Sequence, residues 1–188
     1  MNNAEIVLDG DSLTIEQVIS VSNFNTKVRL SDSSVSAIID SRNLVDDIVS
    51  SGEVVYGINT GFGALSNVTI PNDKLEDLQS NLIRSHACGL GEKMDPNSVL
   101  MMMIVRANSL AKGYSGARLE LIQLLVEMIN NRIVPIVPRI GSLGASGDLA
   151  PLSHMALAMM GESNSQVQTS DGEWVTYSSN DALESFGL

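Results

Sequence analysis

The sequence predicts a mainly α chain with a few short strands and two glycine-rich loops. Three observations carry that prediction. Apolar residues recur at near-helical spacing through most of the chain. Residues that start and stop helices stand at the ends of those stretches. Two segments, 57–63 and 131–148, interrupt the pattern with glycine and proline.

Glu5-Ile-Val-Leu8 reads as a short strand that turns at Asp9-Gly10-Asp11. Thr14 is a side-chain cap for a short helix beginning Ile15-Glu16-Gln17. Ser31 caps a longer one, in which Val35, Ile38, Ile39, Val45, Ile48 and Val49 share a face, and Gly52 closes it. Val54-Val55-Tyr56 reads as a strand end, followed by Gly57-Ile-Asn-Thr-Gly-Phe-Gly63, with three glycines in seven residues. The next helix opens at Asn72-Asp73. Its Leu75, Leu78, Leu82, Ile83 and His86 fall at offsets 0, 3, 7, 8 and 11, and Gly89 and Gly91 end it.

Asp95-Pro96 begins another helix, with proline at the first helical position, where its missing N–H costs nothing. Val99, Met102, Met103, Arg106, Ala107 and Leu110 form its expected inner face. Ser115 is the expected cap of the following helix, with Leu119, Ile122, Val126 and Ile129 aligned. After the break at 131–148, a helix runs from about Leu149 to Met160. Ser170-Asp-Gly-Glu173 is a hairpin turn between Val167-Gln168 and Trp174–Tyr177.

With 188 residues the chain is long enough for one domain with its own core. It contains no repeat, low-complexity tract or interdomain linker. Hydrophobic residues make up 44% and aromatics only 4%, so nine methionines take over part of the packing. A net charge of −11 argues against nucleic acid and against anionic membranes as partners. Cys88, the single cysteine, has no intramolecular disulfide partner, which together with a Met1-Asn-Asn-Ala-Glu start lacking a basic and apolar leader points to the cytoplasm.

Gly141-Ser-Leu-Gly-Ala-Ser-Gly-Asp-Leu-Ala-Pro151 is the most informative segment. A phosphate-cradling loop needs Lys-Ser/Thr after its glycines, and no lysine is present. A hydrolase elbow needs Gly-x-Ser-x-Gly, but the second glycine comes one position early around both Ser146 and Ser115. Backbone chemistry fits better. Attack of the Gly147 amide nitrogen on the Ala145 carbonyl carbon closes a five-membered ring around Ser146, and glycine removes the Cβ that would obstruct it. Loss of two waters leaves an imidazolone with an exocyclic methylidene, an electrophile made from the chain itself. The plainer reading is a connection in which Asp148 caps the following helix, and the two are compatible. A helix N-terminus is partly positive and favours an electrophile beside it.

This segment, continued by Leu152-Ser-His154 and Gly161-Glu162, resembles the prosthetic-group region of the aromatic amino-acid ammonia-lyase family, the histidine/phenylalanine ammonia-lyases. Tyr56-Gly-Ile-Asn-Thr-Gly-Phe-Gly63 resembles the family's second signature loop, and Asn81-Leu-Ile-Arg-Ser-His-Ala-Cys-Gly89 a third block. The blocks stand in the family's order, and the resemblance covers essentially the whole chain. It implies a fumarase/aspartase-like helical fold, of which residues 1–188 are the N-terminal portion. The family's C-terminal helical bundle and several further active-site residues are then absent.

The resemblance implies that Ala145, Ser146 and Gly147 become methylidene-imidazolone, with no external cofactor and no metal. It implies that Tyr56 is the base that takes the β-proton. Without the motif, Tyr56 reads as a half-buried strand-end aromatic. His86 on its apolar face reads alone as a satisfied core residue, but in the family this position faces the substrate side chain. Members acting on histidine resemble Ser85-His86, whereas phenylalanine enzymes have an apolar pair and tyrosine-specific relatives also use histidine nearby. Asn59 and Gly63 shape the loop around Tyr56 and border the substrate. Arg84 and Arg106 could clamp a substrate carboxylate, but a solvated face or a structural ion pair is the expected reading for both, and His154 is structural support.

The implied reaction is elimination of ammonia from L-histidine to give trans-urocanate, in a homotetramer or other homo-oligomer of the full-length protein. Two alternatives stay open: a phenylalanine/tyrosine lyase or aminomutase, and a catalytically inert helical assembly module. A serine hydrolase stands behind both.

Overall fold

The computed structural model describes residues 5–188. The leader reading of Met1–Ala4 lies outside them. Strand β1 (Ile6–Leu8) pairs in parallel with β2 (Val28–Leu30), and helix α1 (Ile15–Phe24) makes the crossover. The turn after β1 is held by the Asp9 carboxylate, which accepts from the Ser12 hydroxyl and from the amides of Ser12 and Asp11. Those donors, the Ser12 hydroxyl foremost, pull its pKa down to about 2. Thr14 and Gln17 form a reciprocal capping box at the head of α1. Helix α2 (Asp32–Ser51) is capped by Ser31 and ends at Gly52, which takes the left-handed conformation.

Helix α3 (Leu75–His86) follows a 3₁₀ turn at Asn72–Lys74. Its five aligned residues, Leu75 to His86, are all half-buried, so the expected face is real but only partly covered. Strand β3 (Leu90–Lys93) then pairs antiparallel with β5 (Pro138–Ile140), so Gly91, read as ending the helix, lies within a strand. Helix α4 (Pro96–Leu110) is capped by Asp95, and helix α5 (Leu119–Asn130) packs against it. Strand β4 (Ile133–Pro135) pairs with β6 (Asn164–Gln168), and β6 pairs with β7 (Trp174–Ser178) in the expected hairpin. Helix α6 (Leu149–Met159) lies between β5 and β6 in sequence, and α7 (Ser179–Glu184) follows β7.

The core sits where α4 and α5 meet β1, β2 and β4. Leu8, Val28, Leu100, Met103, Ile104, Leu125, Met128 and Ile133 are fully buried there, each worth about 1.5–3 kcal/mol of apolar burial. Three expectations are corrected. The inner face of α4 includes Leu100 and Ile104, whereas Met102 and Arg106 are only half-buried. The run Val99–Val105 is apolar all round, so periodicity could not orient it. Val54–Tyr56 is no strand, because the amides of Ile58 and Asn59 both donate back to the Val55 carbonyl and close a turn. Ser115 caps nothing. Gly113 and Gly116 carry the chain past α2 in the left-handed conformation, and the Gly116 amide donates to Ser41 Oγ, which delays α5 to Leu119.

Arg132 ties the layers together. It reverses the chain after α5 at a φ of 57° and is only 7% exposed. Its guanidinium donates to the carbonyls of Val21 and Ser22 at 2.8 Å each and to Gln168 Oε1 at 2.9 Å. It also lies 5.5 Å from the centroid of the Trp174 ring. Burial pushes its pKa down, while the carbonyls in the last turn of α1 favour the cation.

Candidate active site

The 53–63 loop is built around Asn59, which is 3% exposed. Its Oδ1 accepts from the Val55 amide at 2.9 Å, and its Nδ2 donates to the Glu53 carbonyl at 2.7 Å. Both ends of the side chain therefore brace the loop's own backbone. Gly57 and Gly63 take left-handed conformations on either side, at φ of 82° and 56°. Tyr56 stands on the turn between Val55 and Asn59, 64% exposed, and its ring meets Phe62 edge-on at 6.1 Å.

Ser85 and His86 form the last turn of α3. His86 Nδ1 lies 2.8 Å from the Leu82 carbonyl, which the Ser85 hydroxyl also approaches at 2.8 Å. A carbonyl accepts only, so this contact places a proton on Nδ1, and in the neutral ring that tautomer leaves Nε2 as the acceptor. The ring is half-buried, with its tautomer set by its own helix.

Residues 141–148 leave β5 with Gly141 close against the Cα of Gly89. The Ser142 hydroxyl donates to the Gly147 carbonyl, closing the loop across its base. Ala145 and Ser146 lie exposed on the bend. Gly147 has a φ of 70°, and a Cβ there would come 2.6 Å from Ser142 Oγ. The expected side-chain cap by Asp148 is absent: its carboxylate takes the hydroxyl of Ser146 instead. That leaves the first-turn amides of α6 without a side-chain acceptor, next to Ser146 and Gly147. A tight bend with glycine on the nitrogen side, and no secondary structure to dismantle, suits cyclisation of Ala145–Gly147.

α3 and α6 pack together. Arg84 grips Glu162 with two hydrogen bonds, of 2.8 and 2.6 Å, which raise the Arg84 pKa and lower that of Glu162. Of the readings offered for Arg84, the structural ion pair is the one its geometry fits. Arg106 lines an apolar groove of about 350 Å³ with Ile83, Leu121, Leu149 and Leu152. His154 Nε2 accepts the Gly89 amide at 3.0 Å. The end of α3 and the root of the Ala145–Gly147 loop are thus adjacent. In the 53–63 loop, Gly57 and Ile58 line a groove of about 500 Å³ with Arg42, Glu76, Gln79 and Arg118, and this groove shares Ser115, Ala117 and Leu121 with the one beside Arg106. Neither groove is lined by Tyr56, His86 or Ser146. Sequence reasoning did not single out Ser142 or the Arg84–Glu162 pairing; a hydroxyl two residues before Gly144 was the available hint for the first.

A family model described as aromatic amino acid lyase matches residues 13–188. The histidine ammonia-lyase of Caldanaerobacter subterraneus subsp. tengcongensis is 51% identical over 157 residues, covering 84% of this chain and 31% of that protein. The crystal structure of histidine ammonia-lyase from Trypanosoma cruzi superposes with a TM-score of 0.86 at 38% identity, over 98% of this chain and 35% of that one. The phenylalanine aminomutase of Pantoea agglomerans gives 0.85 at 32% identity, over 98% and 34%. The chain therefore spans about a third of the length of the relatives it matches.

Proposed function

The chain belongs to the aromatic amino acid lyase family, and from that premise we propose that its parent protein eliminates ammonia from L-histidine to give trans-urocanate. The observation that carries this reading is the exposed Ala145-Ser146 bend closed by Gly147 at a φ of 70°, directly before α6. Attack of the Gly147 nitrogen on the Ala145 carbonyl carbon, with loss of two waters, gives methylidene-imidazolone without an external cofactor. That group supplies an electrophile that draws electron density from the substrate. The rest falls to ordinary side chains.

Tyr56 is the proposed base for the β-proton, and a positioned base contributes about 10²–10⁴-fold. Asn59 and Gly63 hold the turn that presents it. His86 is the proposed selector. With its proton on Nδ1, its Nε2 can accept an N–H from a substrate imidazole, which an apolar residue cannot do. Ser85 holds the same carbonyl and supports that orientation. Asp148 supports Ser146 through its hydroxyl.

We read residues 1–188 as one domain, the N-terminal portion of a cytoplasmic homo-oligomer of homotetrameric type. The exposed positions of Tyr56 and Ser146, neither of which lines a groove with the other, support a site completed by further chain or further subunits. A phenylalanine/tyrosine lyase or aminomutase is the second reading, favoured by the likeness to the Pantoea enzyme. Product analysis of the full-length protein with histidine, phenylalanine and tyrosine separates them. Urocanate from histidine is the expected result, and histidine left unconsumed would sink the first reading.

A further inference from the structure

We propose that His154 is a positioning residue whose Nε2, by holding the Gly89 amide, sets the Ser85–His86 end of α3 against the root of the Ala145–Gly147 loop. Three elements converge on Gly89. It follows α3 by three residues, and the β3–β5 ladder begins just beyond it, at Leu90 opposite Ile140. Its amide is therefore outside the ladder and is met by His154 of α6 at 3.0 Å. A Cβ on Gly89 would come 2.8 Å from that nitrogen and 3.1 Å from Pro138, and Gly141 lies against its Cα. One contact thus joins the end of α3, the entry to the loop from β5 and the helix into which the loop exits.

The contact requires a deprotonated Nε2, because an imidazolium donates from both nitrogens. Burial holds the His154 pKa below its ordinary 6.5, keeping the acceptor form at neutral pH. Arg139 of β5 lines the same small cavity as His154 and Gly89. The other charged groups on elements packed here are Glu76, Asp77 and Arg84 of α3, Glu92 and Lys93 of β3, Asp148 at the head of α6, and Asp181 and Glu184 of α7. His86 is the other titratable ring. The shift of His154 comes from burial and from none of these charges.

The consequence for selection rests on the proposed function, but the contact itself does not. The test is hydrogen exchange by mass spectrometry on the peptide spanning residues 84–93 of the full-length protein, corrected for intrinsic rates, at about pH 5 and pH 8. Unsubstituted protein is expected to exchange about 3- to 10-fold faster once acid protonates the His154 ring, the loss of one net hydrogen bond. His154→Gln offers an uncharged acceptor and should keep protection at both values. His154→Leu should exchange fast at both and raise KM for histidine more than it lowers kcat. A glutamine variant that loses protection in acid, or a leucine variant protected like the parent at pH 8, overturns the proposal. The expected exchange pattern in a protein that leaves histidine unconsumed supports the positioning role and removes the lyase reading alone.

Discussion

The amide of Gly89 donates to Nε2 of His154 across 3.0 Å, joining the block that carries His86 to the helix that follows Ala145–Gly147. Two segments 65 residues apart in sequence meet at this one contact.

That relationship gives the fold an acid limit. Burial depresses the folded-state pKa of His154, so the unfolded chain takes up its proton first as pH falls. Stability is fully present above about pH 6.5 and declines as pH drops through the lower folded-state value. Urea unfolding midpoints from pH 8 down to pH 5 should fall, and His154→Gln should flatten the lower part of the curve. A curve unchanged by the substitution would show that His154 does not set the limit.

Asn59 and Tyr56 separate shape from chemistry. Asn59→Ala leaves the Val55 amide and the Glu53 carbonyl without their partner and should destabilise the loop by about 1–3 kcal/mol. Increased proteolysis at residues 53–63 would show it. Tyr56→Phe removes only a hydroxyl from a 64% exposed ring. Its melting temperature should stay put while lyase turnover in the full-length protein falls at least about 100-fold; near-normal turnover would disqualify Tyr56 as the base.

Arg132→Ala should be the most destabilising of these changes. It removes three hydrogen bonds and the contact with Trp174, and strands the buried carbonyls of Val21 and Ser22. A loss of about 1.5–3 kcal/mol is expected from chemical denaturation, the worth of charge-assisted hydrogen bonds whose acceptors are left unpaired. By contrast, Arg84→Ala breaks an exposed pair and should cost about 1 kcal/mol or less.

Gly147→Ala places a Cβ 2.6 Å from Ser142 Oγ at a φ of 70°. The strain should cost about 1 kcal/mol or more, and it falls on the nitrogen proposed to close the ring. The variant should fold and remain uncyclised, and intact-peptide mass decides whether it does.

Much of this was legible in the sequence because it depends on local chemistry. Thr14, Ser31, Gly52 and Asp95-Pro96 mark helix ends through their own side chains or backbone preferences, and the structure uses each of them. The Ser170–Glu173 hairpin is of the same kind. Long-range partners were hidden. β2 and β3 are three- and four-residue strands whose pairing with β1 and β5 is decided by packing. Tyr56 lost its strand to Asn59, whose side chain supplies a competing partner for the backbone. Asp148 was expected to meet its own helix but had Ser146 within reach. Arg132 carried no local signal, since its partners come from α1, β6 and β7.

The most direct measurement is the mass of the peptide spanning residues 140–161 from the purified full-length protein, beside the same peptide from Ser146→Ala. The account predicts a deficit of two waters in the first and at most one in the second, since the second water comes from the Ser146 hydroxyl. An unmodified mass in both would contradict self-cyclisation of Ala145–Gly147 and leave the helical assembly module as the better description.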